Sequence, residues 1–168
     1  TENLPGIVGF SWAAQKTHEQ MKTRNKKYLK MKNRLYSRLK HYHSGIQLNG
    51  SFEHALANTL NLYFPQMDNH DLLGYLSLNG IYVSTGAACS EGFADYSHVI
   101  TDLGYDPQRA SQSLRISFGL ENEPADVEYF IKVFKNYCRE GRRIVTVPPS
   151  RAYSMIDSED FTVVDIRT

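Results

Sequence analysis

Residues 45–64 read GIQLNGSFEHALANTLNLYF, and with Gly45 the chain changes from a helical period to an extended one. The runs 45–50 (GIQLNG) and 58–64 (NTLNLYF) are short and bounded by Gly, Asn and Pro65, the punctuation of strands. Upstream, from about Ile7 to His43, Tyr28, Met31, Leu35, Leu39 and Tyr42 recur at spacings of three and four, which predicts one long amphipathic helix or two in series. Downstream, 68–78 opens with acidic and polar residues and carries Leu72, Leu73 and Leu76 on one side. It reads as a helix ended by Asn79-Gly80, both of which tolerate a left-handed backbone. Ile81-Tyr82-Val83-Ser84 and 113–119 (SLRISFG) read as further strands, with a short helix around 96–103 between them. Residues 124–139 make a last helix, with Pro124 in its first turn, Gly141 after its end, and Val127, Phe130, Ile131, Phe134 and Cys138 on one face. The connections are too short for most parallel crossovers. The expected class is therefore α+β: a small, mostly antiparallel sheet with helices on one face, preceded by the long helix.

Composition sets bounds without naming a function. With 168 residues, 41% of them apolar, 22% charged and a net charge of +1, the chain can bury one good core like an ordinary soluble domain. No apolar run is long enough to span a bilayer and the N-terminus lacks the regions of a secretory signal, so a cytoplasmic location is expected and a membrane partner is not. Cys89 and Cys138 are too few for a disulfide framework and lack metal-ligand spacing, so reduced thiols and no metal are expected. Lys22, Arg24, Lys26, Lys27, Lys30, Lys32, Arg34 and Arg38 crowd one face of the first helix. An amphipathic helix needs such a solvated face, and no nucleic-acid module accompanies it, so no nucleic-acid partner is expected. The sequence starts at TENLPGIVGF and stops at FTVVDIRT inside an apolar run, which suggests a piece of a longer protein. Val147-Pro148-Pro149-Ser150 is a stiff joint before a last unit.

Two residues carry candidate chemistry. Cys89 lies in Thr85-Gly86-Ala87-Ala88-Cys89-Ser90, a segment of small residues with little to pack it in place. A thiol that must travel between two sites needs such freedom, although an isolated cysteine is more often a small buried residue. Cys138 fits that second description, on the apolar face of a helix. Arg115 interrupts an otherwise apolar strand, where a guanidinium fork suits a carboxylate better than it suits a core.

The runs GIYVSTGAACSEG, Ser97-His98-Val99 and SLRISFGLEN, preceded in order by TENLPGIVG, IQLNG and LANTLNLYF, resemble the C-terminal region of cysteine desulfurases, from residue 1 to about 139. The spacing from Cys89 to Ser97 resembles the branch with a long cysteine loop; the His-His-Cys pattern of the short-loop branch is not matched. The resemblance implies the small domain of a fold-type-I enzyme that uses pyridoxal 5'-phosphate as an electron sink. A protein thiolate then attacks the sulfur of L-cysteine, leaving L-alanine and an enzyme persulfide. It implies Cys89 as nucleophile and persulfide carrier, Arg115 as holder of the substrate carboxylate, and Thr1 as a residue reaching the cofactor phosphate across a homodimer interface. His98 and Asn58 lie in family-like motifs, with capping or structural hydrogen bonding as the alternative for each.

The lysine, histidine and aspartate that hold the cofactor in that family belong to a large domain preceding residue 1. The chain alone is therefore expected neither to bind the cofactor covalently nor to turn over cysteine. On this reading residues 1–44 are the end of the large domain and a connecting helix, 45–141 the small domain with the cysteine loop, and 142–168 a linker and a further unit. The tail SRAYSMIDSEDFTVVDIRT resembles the start of a rhodanese domain, whose thiol would receive sulfur. A selenocysteine lyase, another class V enzyme, or a non-catalytic module for dimerisation or docking of a sulfur-acceptor protein remain open alternatives. The acceptor, whether an iron-sulfur scaffold or a tRNA-thiolation protein, is not legible.

Overall fold

A computed structural model describes residues 2–85 and 97–140. The first element is a single helix, α1 (Leu4–Tyr42), capped by the Asn3 side chain, which accepts from the Gly6 N–H at 3.1 Å. Three short strands follow in the order β1 (Gln47–Leu48), β2 (Thr59–Tyr63) and β3 (Ser113–Ser117), all antiparallel, with β2 in the centre. Helices α2 (Asn69–Leu78), α3 (His98–Asp102) and α4 (Pro107–Ser111) lie between β2 and β3, and α5 (Pro124–Glu140) follows the sheet.

The strand alternation decides which face is covered. Leu60 and Leu62 of β2 pair in register with Ile116 and Leu114 of β3, and all four are buried. Against them pack Met31, Leu35 and Leu39 of α1, Leu72 and Leu76 of α2, and Val127, Phe130, Ile131 and Phe134 of α5. The α+β class and the antiparallel sheet, with α1, α2 and α5 on one face, thus agree with the sequence reading. The C-terminal half of α1 belongs to this core, and its polar flank is tied to the residue before α5 by Lys27–Glu123 at 2.6 Å and to α5 by Arg34–Glu128.

Three local expectations need correction. Lys32, assigned to the solvated basic face, is fully buried: its Nζ donates to the Leu56 carbonyl at 3.2 Å and sits 5.0 Å from the centre of the Phe52 ring. Residues 52–56 cover the flank of α1 there, widening the buried stripe beyond what its period shows. Tyr42, assigned to the apolar face, is 40% exposed and touches Phe134 edge-on. The run 81–84 is not a full strand; only Ser84 forms a bridge, to Arg115.

Helix endings follow the residues available. Gly80 takes φ +72, its N–H bonds Ser77 O and that of Ile81 bonds Leu76 O, the paired bonds that close a helix on a left-handed residue. Thr1, the segment with Cys89, and residues 141–168 with the rhodanese-like tail lie outside the described residues.

Candidate functional site

The face of the sheet turned from α1, α2 and α5 is polar. The alternation that buries Leu60 and Leu62 turns Thr59, Asn61 and Tyr63 outward, and their register partners Ser117, Arg115 and Ser113 share that side. Arg115 is half-buried. Its N–H donates to Ser84 O at 2.6 Å and its carbonyl accepts from the Ser84 N–H at 3.1 Å. A guanidinium has donors and no acceptor, and among the described residues that of Arg115 has no hydrogen-bond or ion-pair partner. It can therefore take an anion, a carboxylate above all.

Beside it runs a network that joins all three strands to α4. The Arg109 guanidinium lies 3.9 Å from the centre of the Tyr105 ring and 4.9 Å from that of Tyr63. It donates to Asn49 Oδ1 at 2.6 Å, Gln47 Oε1 at 2.9 Å and the Leu48 carbonyl at 3.0 Å. Asn49 Nδ2 in turn donates to Asn61 Oδ1 at 2.8 Å and Ser113 Oγ at 2.7 Å, and the Ser113 hydroxyl donates to the Arg109 carbonyl at 2.7 Å. Sequence reasoning missed Arg109, Asn49 and Asn61. A signal existed: Asn61 sits mid-strand, where asparagine is disfavoured, and Asp106-Pro107 is a helix start. Asp106 caps α4 by accepting from the Arg109 N–H at 2.7 Å.

The other candidates divide. Asn58 has a structural place, its Nδ2 donating to the Phe118 carbonyl at 3.3 Å while its own carbonyl accepts from the Phe118 N–H at 2.8 Å. His98 starts α3 with an exposed imidazole. Cys138 packs against the core, and burial pushes its thiol above the ordinary value of 9.0. A groove of about 510 Å³ between α1 and the start of α5, lined by Lys26, Lys27, Lys30 and Arg34 over Met31 and Val127, lies across the core from Arg115. Glu123 and Glu128 already pair with two of its cations. Among the described residues no group of three His, Cys, Asp or Glu side chains is placed to hold a metal, and no helix is long and apolar enough to cross a membrane.

Known proteins align with this arrangement. The chain is 40% identical over 129 residues to the putative cysteine desulfurase IscS 1 of Bacillus subtilis, covering 76% of this chain and 34% of that protein. It is 34% identical over 149 residues to the cysteine desulfurase IscS of Methanosarcina thermophila, covering 89% and 37%. It superimposes on the solved structure of a NifS-like protein with a TM-score of 0.72 at 31% identity, over 83% of this chain and 35% of that one. The NifS-like protein from Rickettsia africae gives 0.71 at 29%, over 83% and 36%. The chain thus spans about a third of the length of the relatives it matches. The aminotransferase class-V family matches residues 1–130. That match runs through α1, the whole sheet and the start of α5, and the chain belongs to the aminotransferase class-V family.

Proposed function

We propose that the protein containing this chain is a pyridoxal-phosphate cysteine desulfurase, in which Arg115 holds the carboxylate of L-cysteine and Cys89 takes its sulfur. One observation carries the reading. The backbone of Arg115 exchanges two hydrogen bonds with Ser84, and Cys89 follows Ser84 by five residues. Five residues span at most about 18 Å, so connectivity allows the thiol to approach the guanidinium, which supports the reading.

In the transfer step the Cys89 thiolate attacks the substrate sulfur. A sulfur–sulfur bond forms as the substrate Cβ–S bond breaks, and the bonding pair stays with carbon and is protonated. L-Alanine leaves, and a persulfide remains on Cys89. Arg115 orients the substrate through two parallel hydrogen bonds to its carboxylate. The cofactor, when bound, supplies the electron sink.

Every lysine of this sequence lies on α1 or α5, which pack on the opposite face of the sheet from Arg115, and the Lys32 amine is engaged by a carbonyl. These residues do not fit the attachment of the cofactor, so on this reading its lysine comes from the rest of the protein and no step here is routed through it. The exposed Leu4, Ile7, Val8, Phe10 and Trp12 support the division in which residues 1–44 join a larger domain to 45–141. A homodimer with Thr1 at the partner's cofactor phosphate, a cytoplasmic location, a sulfur-acceptor protein, and a rhodanese-like thiol carrier beyond residue 142 complete the proposal.

The test is sulfide release from L-cysteine by the full-length protein with pyridoxal phosphate and reductant. Cys89→Ser is expected to abolish release while keeping the cofactor absorbance. Arg115→Lys is expected to raise KM by about 10–100-fold, the worth of a bidentate pair. A Cys89→Ser protein as active as the parent would return Cys89 to a structural role and favour the docking module.

A further inference from the structure

We infer that Asn61 is a second donor to the substrate carboxylate beside Arg115, and that Arg109 and Asn49 are positioning residues that hold its amide the right way round. The inference rests on the reading of Arg115 given above and adds a residue to it. It starts from hydrogen-bond chemistry. Arginine only donates, so the oxygen of Asn49 must face Arg109 Nε, as it does at 2.6 Å. The Asn49 amino group is then the end turned to Asn61 and Ser113, and both its hydrogens are used. Asn61 must meet that amino group with its own oxygen, at 2.8 Å. The Asn61 amino group is left over, and it has no hydrogen-bond partner among the described residues.

The register places that leftover donor. Asn61 is the direct partner of Arg115 across β2 and β3, on the same face, a pairing that sets side-chain roots about 5 Å apart. Two donor groups cannot satisfy each other. An amide NH2 next to a guanidinium, both half-buried, calls for an acceptor that bridges them, and a carboxylate has two oxygens with which to do so. The charged end of the relay is fixed in turn: Arg109 is held by two aromatic faces and two further acceptors, so the amide chain has little freedom to flip.

The test uses the full-length protein with its cofactor, comparing the parent with Asn61→Ala, Asn49→Asp and Arg115→Lys on L-cysteine and on its carboxylate-free analogue cysteamine. Asn49→Asp keeps an ion pair to Arg109 and hence the fold, but it has no donor. Asn61 then turns its amino group toward the new carboxylate and its oxygen toward the substrate. Both Asn61→Ala and Asn49→Asp are expected to raise KM for L-cysteine by about 5–30-fold with kcat changed far less. Parameters for cysteamine, or its inhibition constant if it is not turned over, should stay within about 2-fold. An equal loss on both compounds, or a fall in kcat alone, would overturn the carboxylate role and leave the network structural. If Arg115→Lys raises KM and the two asparagine variants do not, Asn61 is wrong and the desulfurase reading stands. A parent that releases no sulfide from L-cysteine defeats both together.

Discussion

Lys32 is the residue whose environment departs most from its chemistry. Its ammonium lies over the Phe52 ring and donates to the Leu56 carbonyl, and burial pushes its pKa below the ordinary 10.5. The folded state then binds the proton less tightly than the unfolded chain does. Between the lowered value and 10.5 the unfolded chain carries more protons, so this group's contribution to stability rises with pH across that window. Lys32→Met keeps the stem and removes the charge, and the Leu56 carbonyl keeps its bond from the Thr59 N–H at 3.2 Å. Its stability is expected to lie within about 1 kcal/mol of the parent at pH 7, with the parent gaining on it towards pH 10. Lys32→Ala should cost about 2–4 kcal/mol, since it empties the stem's space as well. Urea unfolding at the two pH values checks both; a parent that loses ground to Lys32→Met as pH rises would contradict the assignment. Cys138 was legible from its helix face, whereas Lys32 was not, because its cover comes from residues 52–56, which no helical period encodes.

At the scale of elements, α5 shows how a helix start is fixed. Asp126 reaches back with Oδ2 to the Glu123 N–H at 3.0 Å and the Asn122 amide at 3.1 Å, while Asn122 accepts from the Gly119 N–H at 2.7 Å. The Asn122 side-chain bond, and then the Glu123 backbone bond, lower the Asp126 carboxyl below its ordinary 3.8. Its contribution is therefore present above pH 3.8 and lost as pH falls through the lowered value. Asp126→Ala is expected to cost about 1 kcal/mol at pH 7 and less near pH 2.5, read from thermal unfolding at both. The α5, α2 and β2 patterns were readable because period and caps agree. Helix α4 was missed at five residues, too short for a period, and the 81–84 run reads as a strand although only Ser84 finds a partner. Arg115 stood out as a charge in an apolar strand. Asn61 carried a signal as a mid-strand asparagine, but its role and that of Asn49 depend on a register between segments as far apart as Asn49 and Ser113.

The whole molecule is asymmetric in how well its parts are held. The core takes α1 only from about Tyr28 onward, and the first half of that helix carries apolar side chains in the open, Phe10 at 78% and Trp12 at 64% exposed. Deleting residues 1–21 is expected to leave the chain's unfolding midpoint within a few degrees and to lower its self-association in light scattering. A collapse of the midpoint would mean that the helix's first half supports the core. The pairing of β2 with β3 has a different consequence. The Phe64 N–H bonds the Gln112 carbonyl at 2.8 Å, so everything between them, Cys89 included, is an excursion closed at its base by the sheet. The entropy of closing such a loop grows only with the logarithm of its length, and ten added residues would cost roughly 0.2 kcal/mol. The number of residues between β2 and β3 can thus grow or shrink during evolution at almost no expense in folding free energy.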